Sequence, residues 1–396
     1  MGFDMLLPRE LESIIIKRAE KMPVIAILGP RQSGKTTLAR GAFKNHAYVS
    51  LENFEERDLA LSDPKRFLAA HIQAPGIIID EVQHAPKLLS YIQTYVDESH
   101  KPGHIIITGS QNILVNQAIS QSLAGRVSIF TLLPFSIPEL RNGSLLPNTI
   151  EELVYKGSYP RIYAYDLEST NWYLDYIETY VERDVRQIAN IIDLVTFRRF
   201  MRLCAGRVGQ LLNVAALATE CGIDQRTANA WLSVLEASYI IFRLQPHHEN
   251  FNKRLVKSPK LFFYDTGLVC ALLDIKSPTQ VGDHYLRGGL IESLLISEIF
   301  KHYYNHGERP QNVFFWKNQA GNEIDCIIQK NNRLIPIEIK ASNTIVSEFF
   351  KVLLYWQQLT NDPKPGYVIY GGLKNQEWTQ GTVVSWKNID DIFKDS

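Results

Sequence analysis

Gly29-Pro30-Arg31-Gln32-Ser33-Gly34-Lys35-Thr36 places two glycines, an ammonium and a hydroxyl within one short stretch. Glycines let a backbone curl until successive N–H groups point at one anion, a lysine here reaches the outer phosphates of a nucleoside triphosphate, and the threonine hydroxyl ligates magnesium. An apolar run, Val24 to Leu28, precedes this loop, and the helix-forming segment TTLARGAF, with Thr37 in its first turn, follows it. Strand, loop and helix are the order a phosphate site requires, because the positive end of the helix dipole then faces the anion.

Hydrolysis needs an acidic partner for the cation and a base for the water. Gly76-Ile77-Ile78-Ile79-Asp80-Glu81 supplies both. Its continuous β-favouring run predicts a central parallel strand buried on both faces. Asp80 is then expected to hold magnesium through water, and Glu81 to polarise the attacking water as general base. A second such run, His104 to Ser110, ends in small polar residues, and Ser110 or Gln111 is placed to touch the γ-phosphate or the water. No Asn-Lys-x-Asp sequence for reading guanine is present, so ATP with Mg2+ is the expected cofactor pair. The Asp-Glu pair favours hydrolysis over transfer to a small molecule.

A third group lies near the C-terminus. In RLIPIEIK the period of a strand turns Ile335, Ile337 and Ile339 to one face and Glu338 and Lys340 to the other. A hairpin between NEIDCIIQ and this run sets Asp325 on the neighbouring strand, and Glu292 lies on a preceding helix. This constellation resembles the site of restriction-endonuclease-like nucleases, and the resemblance implies that Asp325, Glu338 and the main-chain carbonyl of Ile339 would hold a divalent cation, that Glu292 would complete or polarise the site, and that Lys340 would orient water or stabilise a phosphorane.

Three resemblances follow from these residues. The loop at Gly29, IIIDEVQHAP, IIITGSQNIL and SLAGRVSIFTLLPFS, in this order, resemble the AAA-type ATPases of bacteria and archaea that carry an extra C-terminal domain. In that family the Gly-Arg of S-L-A-G-R recurs, here Gly125-Arg126, and the resemblance implies that Arg126 neutralises charge on the transferring phosphoryl group, from the same chain or a neighbour. A salt-bridged surface arginine is the alternative. NVAALATECGIDQRTANAWLSVLEASYIIFRLQP resembles a winged helix-turn-helix, with Asp224 capping its second helix and Ala228, Trp231, Leu232 and Leu235 on one face. Asp325 with Glu338-x-Lys340 resembles the restriction-endonuclease-like fold and its PD-(D/E)xK signature, although Ile324 stands where that motif has proline.

The elements that carry these groups need several domains, since 396 residues exceed one ordinary core. The expected fold class is α/β: a parallel-sheet ATPase core over 1–145, a helical and winged-helix middle over 146–260, and a restriction-endonuclease-like domain over 261–396. Basic and acidic residues balance at 42 each, so a nucleic-acid partner needs a local patch. One exists between Val195 and Lys260, where Arg198, Arg199, Arg202, Arg207, Arg226, Arg243, Lys253, Arg254, Lys257 and Lys260 face only Glu220, Asp224, Glu236 and Glu249. DNA is therefore the expected partner, with a homo-oligomer or a protein partner as alternatives. Four scattered cysteines show no metal or redox spacing. The N-terminal segment fits neither a signal peptide nor a membrane span, which predicts a cytoplasmic protein without a membrane partner.

Overall fold

The isoleucine-rich runs lie side by side. β1 (Val24–Gly29), β2 (Ala47–Ser50), β3 (Ile77–Asp80), β4 (Ile105–Ser110) and β5 (Val127–Thr131) form a sheet in the order β2-β3-β4-β1-β5, with every neighbouring pair parallel. A computed structural model of the chain describes residues 7–72, 75–110, 119, 121–181, 193–247, 256–331 and 333–394. Successive side chains of a strand face opposite ways, so a run without polar interruption serves two cores at once. Val24, Ala26 and Leu28 pack on one side with Ile77, Ile79, Ile105 and Ile107, while Ile25, Ile27, Ile78 and Ile106 pack on the other. The carboxyl ends of β1 and β3 carry the phosphate loop and Asp80, the end of a parallel sheet where ligands bind.

Gly29 closes β1 where no side chain fits. A Cβ there would stand 2.2 Å from the Leu132 carbonyl oxygen, and the residue has a φ of +153°. Gly29→Ala is expected to lower stability by at least about 1 kcal/mol. An unchanged melting curve would show that the Leu132 backbone yields.

In the middle of the chain, helices Val214–Cys221 and Gln225–Ala237 flank a short turn, and Asp224 accepts a hydrogen bond from the Thr227 backbone N–H at 2.9 Å. Ala228, Trp231, Leu232 and Leu235 are buried together, as their helical spacing requires. β6 (Ile241–Leu244) follows and pairs antiparallel with β7 (Lys260–Phe263), so residue 260, the expected domain boundary, lies within a sheet.

The last part builds a six-stranded sheet from β8 (Val313–Lys317), β9 (Glu323–Lys330), β10 (Arg333–Lys340), β11 (Gly366–Tyr370), β12 (Gln376–Trp378) and β13 (Gly381–Ser385), ordered β12-β13-β11-β10-β9-β8. β9 and β10 form the antiparallel hairpin read from their spacing, and β11 runs parallel to β10. Ile335, Ile337 and Ile339 share one apolar cluster with Phe197, Trp231, Phe262 and Ile291. The middle helices and this sheet therefore have a common core. Among the described residues no helix is long and apolar enough to cross a membrane.

Candidate functional site

The loop between β1 and the helix Lys35–Ala42 has the shape its glycines suggest. Gln32 and Gly34 sit at φ values of 64° and 93°, and the helix begins at Lys35 directly after Gly34. Lys35 is buried, and its Nζ donates to the Pro30 carbonyl at 2.7 Å, while the Arg31 carbonyl accepts from Tyr176 at 3.4 Å. Ser33 Oγ is buried without a hydrogen-bond partner, an orphan of the kind a bound anion satisfies. Gln32, Gly34, Lys35, Thr36, Thr37 and Glu81 line one cavity of about 470 Å³, within the range of nucleotide-sized sites.

Magnesium would be held between two elements that meet here. Thr36 Oγ1 donates to Asp80 Oδ1 at 2.9 Å, bringing the start of the helix against the end of β3. Asp80 is buried and also accepts from Thr108 of β4 and, at 3.0 Å, from the Tyr48 hydroxyl of β2. The two neighbouring strands and the helix start thus fix one carboxylate. Glu81, next in sequence, takes a left-handed backbone with φ of 58° and accepts from the Gln83 amide. The left-handed turn separates the two carboxylates in direction, Asp80 towards Thr36 and Glu81 towards the cavity. Ser110 ends β4 beside Gly29 and is buried, whereas Gln111 lies outside the described residues.

Several supporting residues carried no motif. Arg9 donates from Nε to Glu139 Oε1 at 2.9 Å and from its two terminal nitrogens to the carbonyls of Ser33 at 2.9 Å and Leu133 at 2.7 Å. It therefore ties the phosphate loop to the segment after β5. Burial and the adjacent Asp80 carboxylate push the Tyr48 hydroxyl up to about 12, so it remains a donor to Asp80. Phe135, Tyr163 and Tyr165 line the same cavity with Arg161. Neither Tyr48 nor Arg9 stands in a motif, and Arg9 is joined to the loop by a fold contact that no local spacing announces.

The C-terminal carboxylates also converge, with a partner the motif did not include. Asp325 Oδ2 on β9 accepts from the Ile339 backbone N–H at 2.8 Å, and Glu338 accepts from Lys340 beside it. Glu338 is buried, and its Oε2 has no hydrogen-bond partner. Glu292, in the helix Arg287–Asn305, accepts from Lys260 at 2.7 Å, and Lys260 also pairs with Glu323. Burial, with the Asp325 charge nearby, pushes Glu292 and Glu338 up to about 8, and burial raises Asp325 as well. Burial alone would lower the Lys260 pKa, but Glu292, Asp325 and Glu323 outweigh it and keep the ammonium charged.

Among the described residues no three His, Cys, Asp or Glu side chains are grouped as a metal site. Glu292, expected to complete or polarise the site, has its carboxylate bonded to Lys260. The residues that remain fit a magnesium-type ion, which takes one or two carboxylates and fills its shell with water and phosphate oxygens. The orphaned Glu338 Oε2 and the adjacent Asp325 are such a pair.

Comparison with known proteins separates the chain into three segments. Residues 21–141 match the AAA domain family. The N-terminal five-stranded sheet thus matches an AAA-type P-loop ATPase core. Residues 147–279 and 287–389 match two domains of unknown function, DUF8612 and DUF4143. Mb2031c of Mycobacterium bovis and Rv2008c of Mycobacterium tuberculosis, both described as uncharacterized proteins, are each 29% identical over 344 residues, which cover 86% of this chain and 75% of theirs. Among solved structures, the Walker-type ATPase PABY2304 of Pyrococcus abyssi is 16% identical with a TM-score of 0.46, over 69% of this chain and 99% of that one. The RuvB Holliday junction branch migration motor of Thermotoga maritima is 17% identical with a TM-score of 0.34, over 61% and 91%.

Within the AAA-type core, Arg126 is not at the nucleotide. It precedes β5, and its carbonyl accepts from Val24 N–H at the start of β1, whereas the phosphate loop leaves the far end of that strand. Six strand residues put the two about 20 Å apart. Its guanidinium pairs instead with Asp97, at 2.8 Å for one of the two bonds. Within its own chain Arg126 is therefore the salt-bridged surface arginine that the sequence holds as the alternative to a phosphate contact.

Outside the AAA-type core the basic middle is narrower than its residue count. Arg207 pairs with Glu220 and Arg243 with Glu236, each at 2.5 Å, and Lys260 is buried among carboxylates. Lys253 and Arg254 lie outside the described residues. Arg198, Arg199 and Arg202 on the helix Leu194–Ala205, with Arg226 and Lys257, are exposed.

Proposed function

We propose that the protein is a magnesium-dependent ATPase that acts on DNA, with a C-terminal domain built for metal-assisted cleavage of a phosphodiester. The observation that carries the ATPase reading is the bond from Thr36 to Asp80 beside the buried Lys35, at a cavity edged by Glu81. Bound magnesium would neutralise charge on the phosphates and polarise the transferring group. The chain's own part is positional: the loop N–H groups and Lys35 hold the phosphates, Thr36 and Asp80 hold the cation, and Glu81 takes a proton from water.

Support for DNA comes from the exposed arginines of the helix Leu194–Ala205 and from the helix–turn–helix and strand pair beside it, which is the arrangement a winged helix uses. Support for phosphodiester chemistry comes from Asp325, Glu338 and Lys340 on adjoining strands. A nucleotide-driven scaffold that docks proteins through the same two regions is the rival reading.

ATP turnover is expected to exceed that of Lys35→Ala and to change when DNA is added. Neutralising Arg198, Arg199 and Arg202 together is expected to weaken DNA binding and flatten its salt dependence. Turnover no faster than the Lys35→Ala variant in every condition ends the hydrolase reading. DNA binding that the triple variant leaves untouched moves the DNA elsewhere or favours the scaffold.

A further inference from the structure

Lys260 is the least expected group in the C-terminal cluster. A lysine is rarely buried without a partner, and this one is 4% exposed at the start of β7, in the segment matching DUF8612, with its ammonium among acids of the segment matching DUF4143. Its Nζ lies 2.7 Å from Glu292 Oε1 and pairs with Glu323, whose other oxygen meets Lys317 at 2.5 Å. The Phe262 and Phe315 rings flank the same ammonium, with centroids at 6.0 and 5.6 Å. Its backbone is held on both sides, opposite Leu244 in β6 and in a bridge to Leu211. The charge is built into the fold.

The remaining acids divide around it. Lys260 holds Glu292 and Glu323, Lys317 also holds Glu323, and Lys340 holds one oxygen of Glu338, which leaves Asp325, bonded to the Ile339 N–H, and the other Glu338 oxygen. Glu338 Oε2 is the buried carboxylate oxygen of this group that no donor reaches. One further cation is what this geometry leaves room for. From these contacts we propose that Lys260 is the site's built-in second cation, so that the cluster takes a single divalent ion at Asp325 and Glu338 and never a pair. The inference rests on the metal-binding reading of the C-terminal domain given above.

The test counts Mn2+ bound to the nucleotide-free full-length protein, by electron paramagnetic resonance of the free ion, with Asp325→Asn as the baseline for all other sites. Wild type is expected to hold one ion above that baseline, Lys260→Arg one, and Lys260→Met two, since methionine keeps the length and removes the charge. Two ions in wild type, or one in a folded Lys260→Met, overturns the role of Lys260 while leaving the metal reading in place. No ion above baseline in wild type overturns the metal reading itself, and this proposal with it. If Lys260→Met is unfolded without metal, thermal melting with added Mn2+ decides. Refolding by Mn2+ beyond any shift in wild type supports the substitution of metal for ammonium, and a lack of recovery overturns it.

Discussion

Glu81→Gln is expected to bind ATP and magnesium as wild type does and to hydrolyse ATP about 10²–10⁴-fold more slowly, the usual contribution of a positioned general base. The expectation follows from the division of labour at the end of β3. Asp80 is committed to Thr36, Thr108 and Tyr48, whereas Glu81 turns through a left-handed backbone to the cavity wall. Glutamine keeps the size and the contact with Gln83 but accepts no proton. Nucleotide affinity from fluorescence titration, set beside steady-state turnover, separates the two effects. Equal loss of binding and turnover would place Glu81 in nucleotide binding, and unchanged turnover would remove it from the reaction.

The second large effect lies away from both clusters of acids. Lys301 Nζ donates to the Phe135 carbonyl at 2.8 Å, Ser158 Oγ at 3.0 Å and Glu298 Oε1 at 2.7 Å, and Glu298 accepts from the Ile137 backbone N–H at 2.6 Å. Both side chains are almost fully buried. Lys301→Met is expected to cost about 3–5 kcal/mol, because it strands a buried carboxylate. Burial already raises the Glu298 pKa, with Lys301 opposing it, so the variant's carboxyl rises further. The folded variant then binds a proton more readily than the unfolded chain, and its stability falls as pH increases through the raised pKa. Urea denaturation at two pH values, with Lys301→Met/Glu298→Gln as comparator, reads both parts. Recovery in the double variant is expected; a double variant as weak as the single one would put the loss on the Phe135 and Ser158 contacts.

Motif and period disclosed much of this arrangement because the positions are local. The phosphate loop, the buried run ending in Asp80 and the alternation that sets Glu338 apart from Ile337 and Ile339 each depend on residues a few places apart. Arg9 and Lys260 depend on the fold instead. Arg9 reaches a loop carbonyl 24 residues on, and Lys260 meets a glutamate 32 residues on, distances over which no periodicity carries. The sequence leaves Arg126 open between a phosphate contact and a surface ion pair for the opposite reason. Its place in a familiar segment implied a phosphate contact, yet parallel pairing of β5 with β1 fixes it at the sheet's far end.

The apolar cluster that joins Phe197 and Phe262 to Ile337 and Trp386 constrains how such a chain is inherited. A recombination event that exchanged the last segment alone would leave Lys260 facing foreign side chains and expose half of a shared interior. Descendants that keep the fold must therefore carry the middle and final segments together, or change the contacts on both sides of the exchange.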